Sequence, residues 1–183
     1  MGLRLNQAPK VIWLTGRPSA GKTTIAQALD RRLTDLGYLC RTLDGDVLRN
    51  GLNSNLGFNP SERVENIRRV AEVSKLFIET GIICINSFIS PTESIRHMAR
   101  TIIGAQNFIE IYVNAPADVC EQRDVKGMYK KARAGIIPEF TGVSSPFEAP
   151  LDPDVEIHTD TNQVEQCVEE CLMHIIPRIS QKP

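Results

Sequence analysis

The stretch Val11-Ile12-Trp13-Leu14-Thr15-Gly16-Arg17-Pro18-Ser19-Ala20-Gly21-Lys22-Thr23-Thr24 decides the fold. Its first five residues are a short, mainly apolar run that stops at a glycine, the mark of a buried strand. Gly16 to Thr23 then fits the pattern G-x-x-x-x-G-K-[ST]. After it, Ile25, Leu29, Leu33 and Leu36 recur at helical spacing until Gly37 supplies a stop. A strand, a glycine-bearing turn and a helix in this order suit one chemistry. Glycines let the backbone curl so that successive N–H groups face phosphate oxygens, and the helix N-terminus adds its positive dipole end. Lys22 would reach the β- and γ-phosphates, and the Thr23 hydroxyl can ligate magnesium. Gly16, Ser19, Ala20, Gly21, Lys22, Thr23 and Thr24 are thus the candidate cradle for a nucleoside triphosphate such as ATP with Mg2+. The loop alone leaves open whether the nucleotide is used for transfer, hydrolysis or sensing.

Outward from the loop, Tyr38 to Leu43 reads as a second strand and Ser61 to Thr80 as a long helix. Ser61 is its expected cap, and Val64, Ile67, Ala71 and Ile78 its apolar stripe. Ile82 to Asn86 is a third buried strand, followed by a helix over 93–103 and a strand over 108–113. Pro116 suits the first turn of a further helix reaching Arg123. From Lys126 to Pro150 a short basic stretch leads into glycines and prolines, read as a partly helical, mobile flap. Val155 to Thr159 is the last strand and Val164 to Ile176 the last helix. Strands alternating with helices imply an α/β fold in one domain, a mainly parallel sheet covered on both faces.

Composition narrows the class. The chain has 183 residues, 42% hydrophobic and 23% charged, enough for one domain with a real core. Lys+Arg 21 against Asp+Glu 22 gives a net charge of -1, so no general basic surface for a nucleic-acid polymer is expected. No apolar run is long enough to span a bilayer, so no membrane partner is expected. Met1 to Lys10 lacks the apolar stretch of a signal peptide, and a cytoplasmic chain is expected. Five cysteines without a CxxC spacing read as reduced, buried thiols. His97, His158 and His174 are scattered and read as surface or structural residues.

Two further groups carry chemistry. Asp44-Gly45-Asp46 lies at the carboxyl end of the second strand, where open α/β sheets bind ligands. One carboxylate there can accept a hydroxyl proton while the other holds magnesium, with Thr23 and Asp46 as candidate metal residues. A turn with a helix cap fits the same residues equally well. Arg49, Phe58, Arg63 and Asn66 follow, with Arg63 and Asn66 three apart on one helical face. Two arginines and an aromatic ring suit an anionic, nucleotide-like second substrate, and equally a solvated helix face.

Taken together, these residues resemble the adenosine 5′-phosphosulfate kinase (adenylylsulfate kinase) family. The resemblance is carried by 43–46 (LDGD), 51–53 (GLN), 56–58 (LGF), 65–69 (ENIRR), 88–91 (FISP), 119–124 (VCEQRD), 126–135 (KGMYKKARAG), 140–142 (FTG) and 148–150 (EAP). The block from Arg123 to Gly135 is far more specific than a phosphate loop. The resemblance implies a P-loop kinase-like three-layer fold with a lid at about 126–150. It also implies transfer of the γ-phosphoryl of MgATP to the ribose 3′-hydroxyl of adenosine 5′-phosphosulfate. Asp44 would then be the base, Lys22 and Lys126 would act on the phosphates, and Arg49, Phe58, Arg63 and Asn66 would hold the sulfonucleotide. Ile89 and Ser90 would lie beside that nucleotide, Phe140 would close on its base facing Phe58, and Cys120 and Arg123 would touch the adenine of ATP. A homodimer and a functional link to an ATP sulfurylase are further implications.

The chain departs from the family pattern at several positions. Arg17-Pro18 stands where the family commonly has Leu-Ser, and Pro18 removes one backbone N–H from the loop. Altered affinity is expected there rather than lost binding. Val47, Thr92 and Glu93 replace a frequent asparagine, tyrosine and arginine, which touches fine substrate contacts. The other readings are a different small-molecule P-loop kinase and a nucleotide-binding protein without turnover.

Overall fold

The computed structural model describes residues 5–181, so the first four residues of the stretch read as lacking a signal peptide lie outside the described residues. Its strands are β1 (Val11–Thr15), β2 (Cys40–Asp44), β3 (Ile83–Ser87), β4 (Phe108–Asn114) and β5 (Val155–His158). Its helices are α1 (Lys22–Asp35), α2 (Gly45–Arg49), α3 (Pro60–Glu79), α4 (Glu93–Ile103), α5 (Ala117–Arg123), α6 (Met128–Arg133) and α7 (Val164–Ile179). The strands form one sheet in the order β2-β3-β1-β4-β5, and every pairing is parallel. No helix among the described residues is long and apolar enough to cross a membrane.

β1 is central and wholly buried, which is why it reads as a continuous apolar run. Its side chains alternate between the two faces. Ile12 and Leu14 join a core with Ile25, Leu29 and Leu33 of α1 and Cys167, Cys171 and Ile175 of α7. Val11 and Trp13 join a second core with Ile67, Val70 and Ala71 of α3 and Ile95 and Ala99 of α4. Trp13 is fully buried, with ring centroids 5.8 Å from Phe88 and 5.5 Å from Phe108. The layers are therefore helix, sheet, helix, and the carboxyl ends of β1, β2 and β3 share one edge.

Local departures from the sequence reading have local causes. Asn59, not Ser61, caps α3: its Oδ1 accepts from Glu62 N–H at 2.9 Å, within a capping box. Pro60 takes the first turn, where a missing N–H costs nothing. Val64 is 40% exposed, and the inner face of α3 is instead Asn66, Ile67, Val70, Ala71, Ser74 and Ile78. α2 has five residues, too few for a periodic signal. α7 continues through Pro177 to Ile179, past its expected end. The five cysteines are free thiols, and Cys40 is only half-buried.

Candidate functional site

The phosphate loop connects β1 to α1 and is anchored on both sides. A Cβ on Gly16 would stand 2.4 Å from the Val113 carbonyl oxygen, so only glycine fits where the loop leaves β1 against β4. Lys22 is buried, and its Nζ donates to the carbonyls of Gly16 at 2.9 Å and Arg17 at 2.7 Å. Burial lowers its pKa to about 8, chiefly through loss of hydration, while the Cys120, Asp44 and Asp46 side chains oppose the fall. Ser19 holds a positive φ of 62° within the turn. Ala20 is buried, whereas Thr23 and Thr24 are exposed at the start of α1.

Asp44 ends β2 and caps α2. Its Oδ1 accepts from Asp46 N–H at 3.0 Å, and its Oδ2 accepts from the Thr23 hydroxyl at 2.8 Å. The turn-and-cap reading and the functional reading of Asp-Gly-Asp thus describe the same geometry. Of the two carboxylates, Asp44 is the one that meets Thr23. Asp46 points outward and pairs with Lys126 of the flap. Thr23 also lies 3.4 Å from the Ser87 hydroxyl at the end of β3.

The second basic group converges. Arg49 donates to the Leu56 and Gly57 carbonyls at 3.1 and 2.9 Å, and its guanidinium lies 4.1 Å from the Phe58 ring centroid. Arg63 donates from Nε to the Phe58 carbonyl at 2.6 Å, and its other nitrogens reach Thr141 Oγ1 and the Glu139 carbonyl. Burial lowers the pKa of both guanidiniums, and for Arg49 the nearby Arg63 adds to it. Asn66 is buried and accepts from Asn53 Nδ2 at 3.0 Å. Asn53 itself is fully buried with an unpaired Oδ1, and no spacing signal pointed to it. Arg68 is the solvated member, paired with Glu65 at 2.7 Å.

Four other expected contacts sit differently from the simplest picture. The Ser90 hydroxyl is turned inward, accepting from Trp13 Nε1 at 3.0 Å and bonded to Thr15 Oγ1 at 3.0 Å. Its carbonyl accepts from buried Arg96 at 3.0 Å, and the Ile89 carbonyl accepts from Thr15 Oγ1 at 2.7 Å. Phe140 is buried and edge-on to Tyr129 at 5.0 Å, and both rings belong to the core that holds Ile12, Leu14 and Ile25. Cys120 is fully buried, its thiol pushed up by loss of hydration and directed at the Ala115 carbonyl. Arg123 is exposed and donates to Thr159 O at 2.6 Å, while Thr159 Oγ1 donates to Ala20 O at 2.7 Å. Thr159 is therefore a link between α5 and the phosphate loop that the sequence did not single out.

The departures at Thr92 and Glu93 have structural roles. Thr92 Oγ1 caps α4 by accepting from Ile95 N–H at 3.4 Å. Glu93 accepts from Arg96 at 2.8 Å, and its N–H donates to Glu148 of the flap at 2.7 Å. Val47 is exposed. Two surface grooves of about 480 and 420 Å3 lie elsewhere, one along Tyr38 and Met173 and the other along Lys10 and Phe108. Neither gathers the residues above.

The oxygens of Thr23, Asp44 and Ser87 suit a hard divalent cation. Magnesium is usually held by one or two such groups and the substrate's phosphates, so no larger acidic cluster is needed. Among the described residues there is no group of three or more His, Cys, Asp or Glu poised for a metal.

A buried lysine in a glycine-bearing loop, a carboxylate at the next strand end and a basic acceptor side define a P-loop small-molecule kinase. The comparisons narrow the class. The family model described as adenylylsulphate kinase matches residues 8–158, and the chain belongs to that family. It is 54% identical over 177 residues to an adenylyl-sulfate kinase of Bacteroides fragilis, covering 97% of this chain and 88% of that one. A Bacteroides thetaiotaomicron adenylyl-sulfate kinase is 52% identical, covering 97% and 89%. The fold superposes on the Mycobacterium tuberculosis APS kinase CysC in complex with AMPPNP and APS. That match has a TM-score of 0.89 and 36% identity, and covers 92% of this chain and 98% of that one.

Proposed function

We propose that the chain transfers the γ-phosphoryl of ATP to the ribose 3′-hydroxyl of adenosine 5′-phosphosulfate, releasing 3′-phosphoadenosine 5′-phosphosulfate and ADP. The observation that carries this reading is the 2.8 Å hydrogen bond from Thr23 to Asp44. It supports Asp44 as a carboxylate base beside the phosphate loop, within reach of an acceptor hydroxyl. Asp44 takes the hydroxyl proton as the oxygen attacks. Lys22 and Lys126 offset charge on the transferring group, since phosphoryl transfer depends mainly on alignment and charge neutralisation. Thr23 and Asp46 would hold Mg2+, which would supply charge neutralisation to the phosphates. Gly16, Ser19, Ala20, Gly21, Thr23 and Thr24 cradle ATP, with Cys120 and Arg123 shaping its adenine end. Arg49, Phe58, Arg63, Asn66, Ile89, Ser90 and Phe140 form the sulfonucleotide side. The region 126–150 acts as the lid of a single domain, excluding the water that competes with the hydroxyl.

The family resemblance supports a homodimer and a functional link to an ATP sulfurylase. Free thiols support a cytoplasmic location. Light scattering is expected to give twice the monomer mass. The activity itself is tested by ADP formation from MgATP with adenosine 5′-phosphosulfate, AMP or gluconate as acceptor. Turnover with the sulfonucleotide alone is expected; turnover with AMP or gluconate but not the sulfonucleotide rejects the assignment.

A further inference from the structure

The departure at Arg17-Pro18 is engaged by the flap, and the contacts join the two sides of the site. The Arg17 backbone belongs to the cradle: its carbonyl accepts from Lys22 Nζ at 2.7 Å and from Ala20 N–H at 3.2 Å. Its side chain leaves the cradle, and the guanidinium lies 5.1 Å from the centroid of Phe147 in the flap. Phe147 in turn stacks on Tyr112 of β4 at 6.1 Å, so the ring is backed by the sheet. The Arg17 guanidinium also lies beside Gly142, where a Cβ would stand 3.5 Å from it, in ordinary contact. The next residue is held as well, since the Pro18 carbonyl accepts from the Tyr129 hydroxyl at 3.1 Å. Tyr129 packs edge-on to Phe140. One residue beyond Phe140, Thr141 receives the Arg63 guanidinium, and Glu139 offers its carbonyl to the same group.

Among the described residues, Arg17 forms no ion pair. Its fixed partner is therefore an aromatic face, and this contact is attractive because the ring quadrupole meets a weakly hydrated cation. A leucine at this position would lose that attraction. Contacts thus run from the phosphate loop through Tyr129 and Phe140 to the segment 139–141 that receives Arg63, with Arg17 set against Phe147 and beside Gly142 of the same flap.

We infer that Arg17 is a positioning residue that clasps the flap to the phosphate loop and thereby couples occupancy of the ATP side to occupancy of the sulfonucleotide side. This rests on the kinase reading above for the identity of the second ligand. When one nucleotide orders the flap, the other meets a segment already ordered, and its ordering cost falls. The coupling is reciprocal, so each nucleotide tightens the other by the same factor.

Calorimetric titration tests the clasp without turnover. A non-hydrolysable ATP analogue is titrated into the full chain, alone and with saturating adenosine 5′-phosphosulfate. The parent protein is expected to bind the analogue more tightly when the sulfonucleotide is present. Arg17→Leu and Phe147→Ala are each expected to shrink that enhancement about fivefold, and the double variant no further than either single one, since both remove one contact. Arg17→Lys, which keeps a cation over the ring, should restore part of it. In steady state, Arg17→Leu should raise KM for both nucleotides more than it lowers kcat. Unchanged enhancement in both single variants, or losses that multiply in the double variant, overturns the clasp. An Arg17→Leu protein with a lowered melting temperature and an intact enhancement overturns it too, by showing a purely structural contact. If the parent protein binds the analogue but neither binds nor turns over the sulfonucleotide, the kinase reading fails. The clasp is then read from the analogue alone, whose affinity must still fall about fivefold in Arg17→Leu and Phe147→Ala, non-additively; additive or absent effects overturn it.

Discussion

The donor and acceptor sides of the site are built by different means. The phosphate loop is one contiguous segment between a buried strand and a helix, and its lysine bonds to carbonyls five and six residues away. The acceptor side is assembled from distant segments: Arg63 meets Thr141 across 78 positions, and Lys126 meets Asp46 across 80. Gly16, Ala20 and Lys22 of the donor loop are buried, whereas Phe58 is 56% exposed and the Lys126 and Asp46 side chains more so. On the proposed reading, a triphosphate would meet backbone geometry already in place. The second nucleotide would meet side chains whose positions depend on tertiary contacts and on the flap.

That contrast can be broken at its junction first. Asp44→Asn keeps an oxygen for the α2 cap, turns an amide N–H toward the Thr23 hydroxyl, which can accept it, and removes the base. It is expected to lower kcat by about 100- to 10,000-fold while ATP affinity stays within a few-fold. A variant within tenfold of the parent rate would remove Asp44 from that role. Trp13→Ala probes the rigidity behind both sides, because Trp13 is fully buried and its indole N–H holds Ser90. A loss of about 3–5 kcal/mol is expected in urea unfolding, and a loss under about 1 kcal/mol would contradict the packing described.

Arg63→Ala should act mainly on the acceptor side. KM for the sulfonucleotide is expected to rise about 10- to 100-fold, as for the loss of a charge-assisted contact, with KM for ATP rising only about fivefold or less through the flap. Equal effects on both KM values would erase the division between the sides.

The smallest effect is the pH dependence of the donor side. Because burial lowers the Lys22 pKa to about 8, its positive charge is lost as pH rises through that value, where an ordinary lysine keeps it to about 10.5. Binding of an ATP analogue to the free protein should weaken by up to about tenfold between pH 7 and pH 9. Folding stability moves the other way for this group. The desolvation cost of the cation is fully present below about pH 8 and is relieved between about 8 and 10.5. A flat binding profile over that window would mean Lys22 is not titrating there.

The regular elements were legible because each has a period or a boundary residue. β1 showed as an apolar run, α1 as a 3.6-residue repeat closed by Gly37, and the phosphate loop by its glycines and lysine. The α3 start was misplaced by two competing caps, and α2 was missed because one turn carries no periodicity. Within the site, Asp44, Arg49, Arg63 and Asn66 stood out by chemistry and spacing. Thr159 and Asn53 did not, since each acts through a partner far away in the chain.

By itself the sequence determined a parallel α/β layering, a phosphate cradle and the family, because these depend on local periodicity and on short motifs read in order. Only the tertiary structure decided which carboxylate meets Thr23, that the Ser90 hydroxyl serves the core, that Phe140 packs on Tyr129, and what Arg17 touches. Those outcomes turn on side-chain direction and on contacts between segments tens of residues apart. Such contacts leave no period in the chain, because they arise only when the sheet brings its strand ends to one edge.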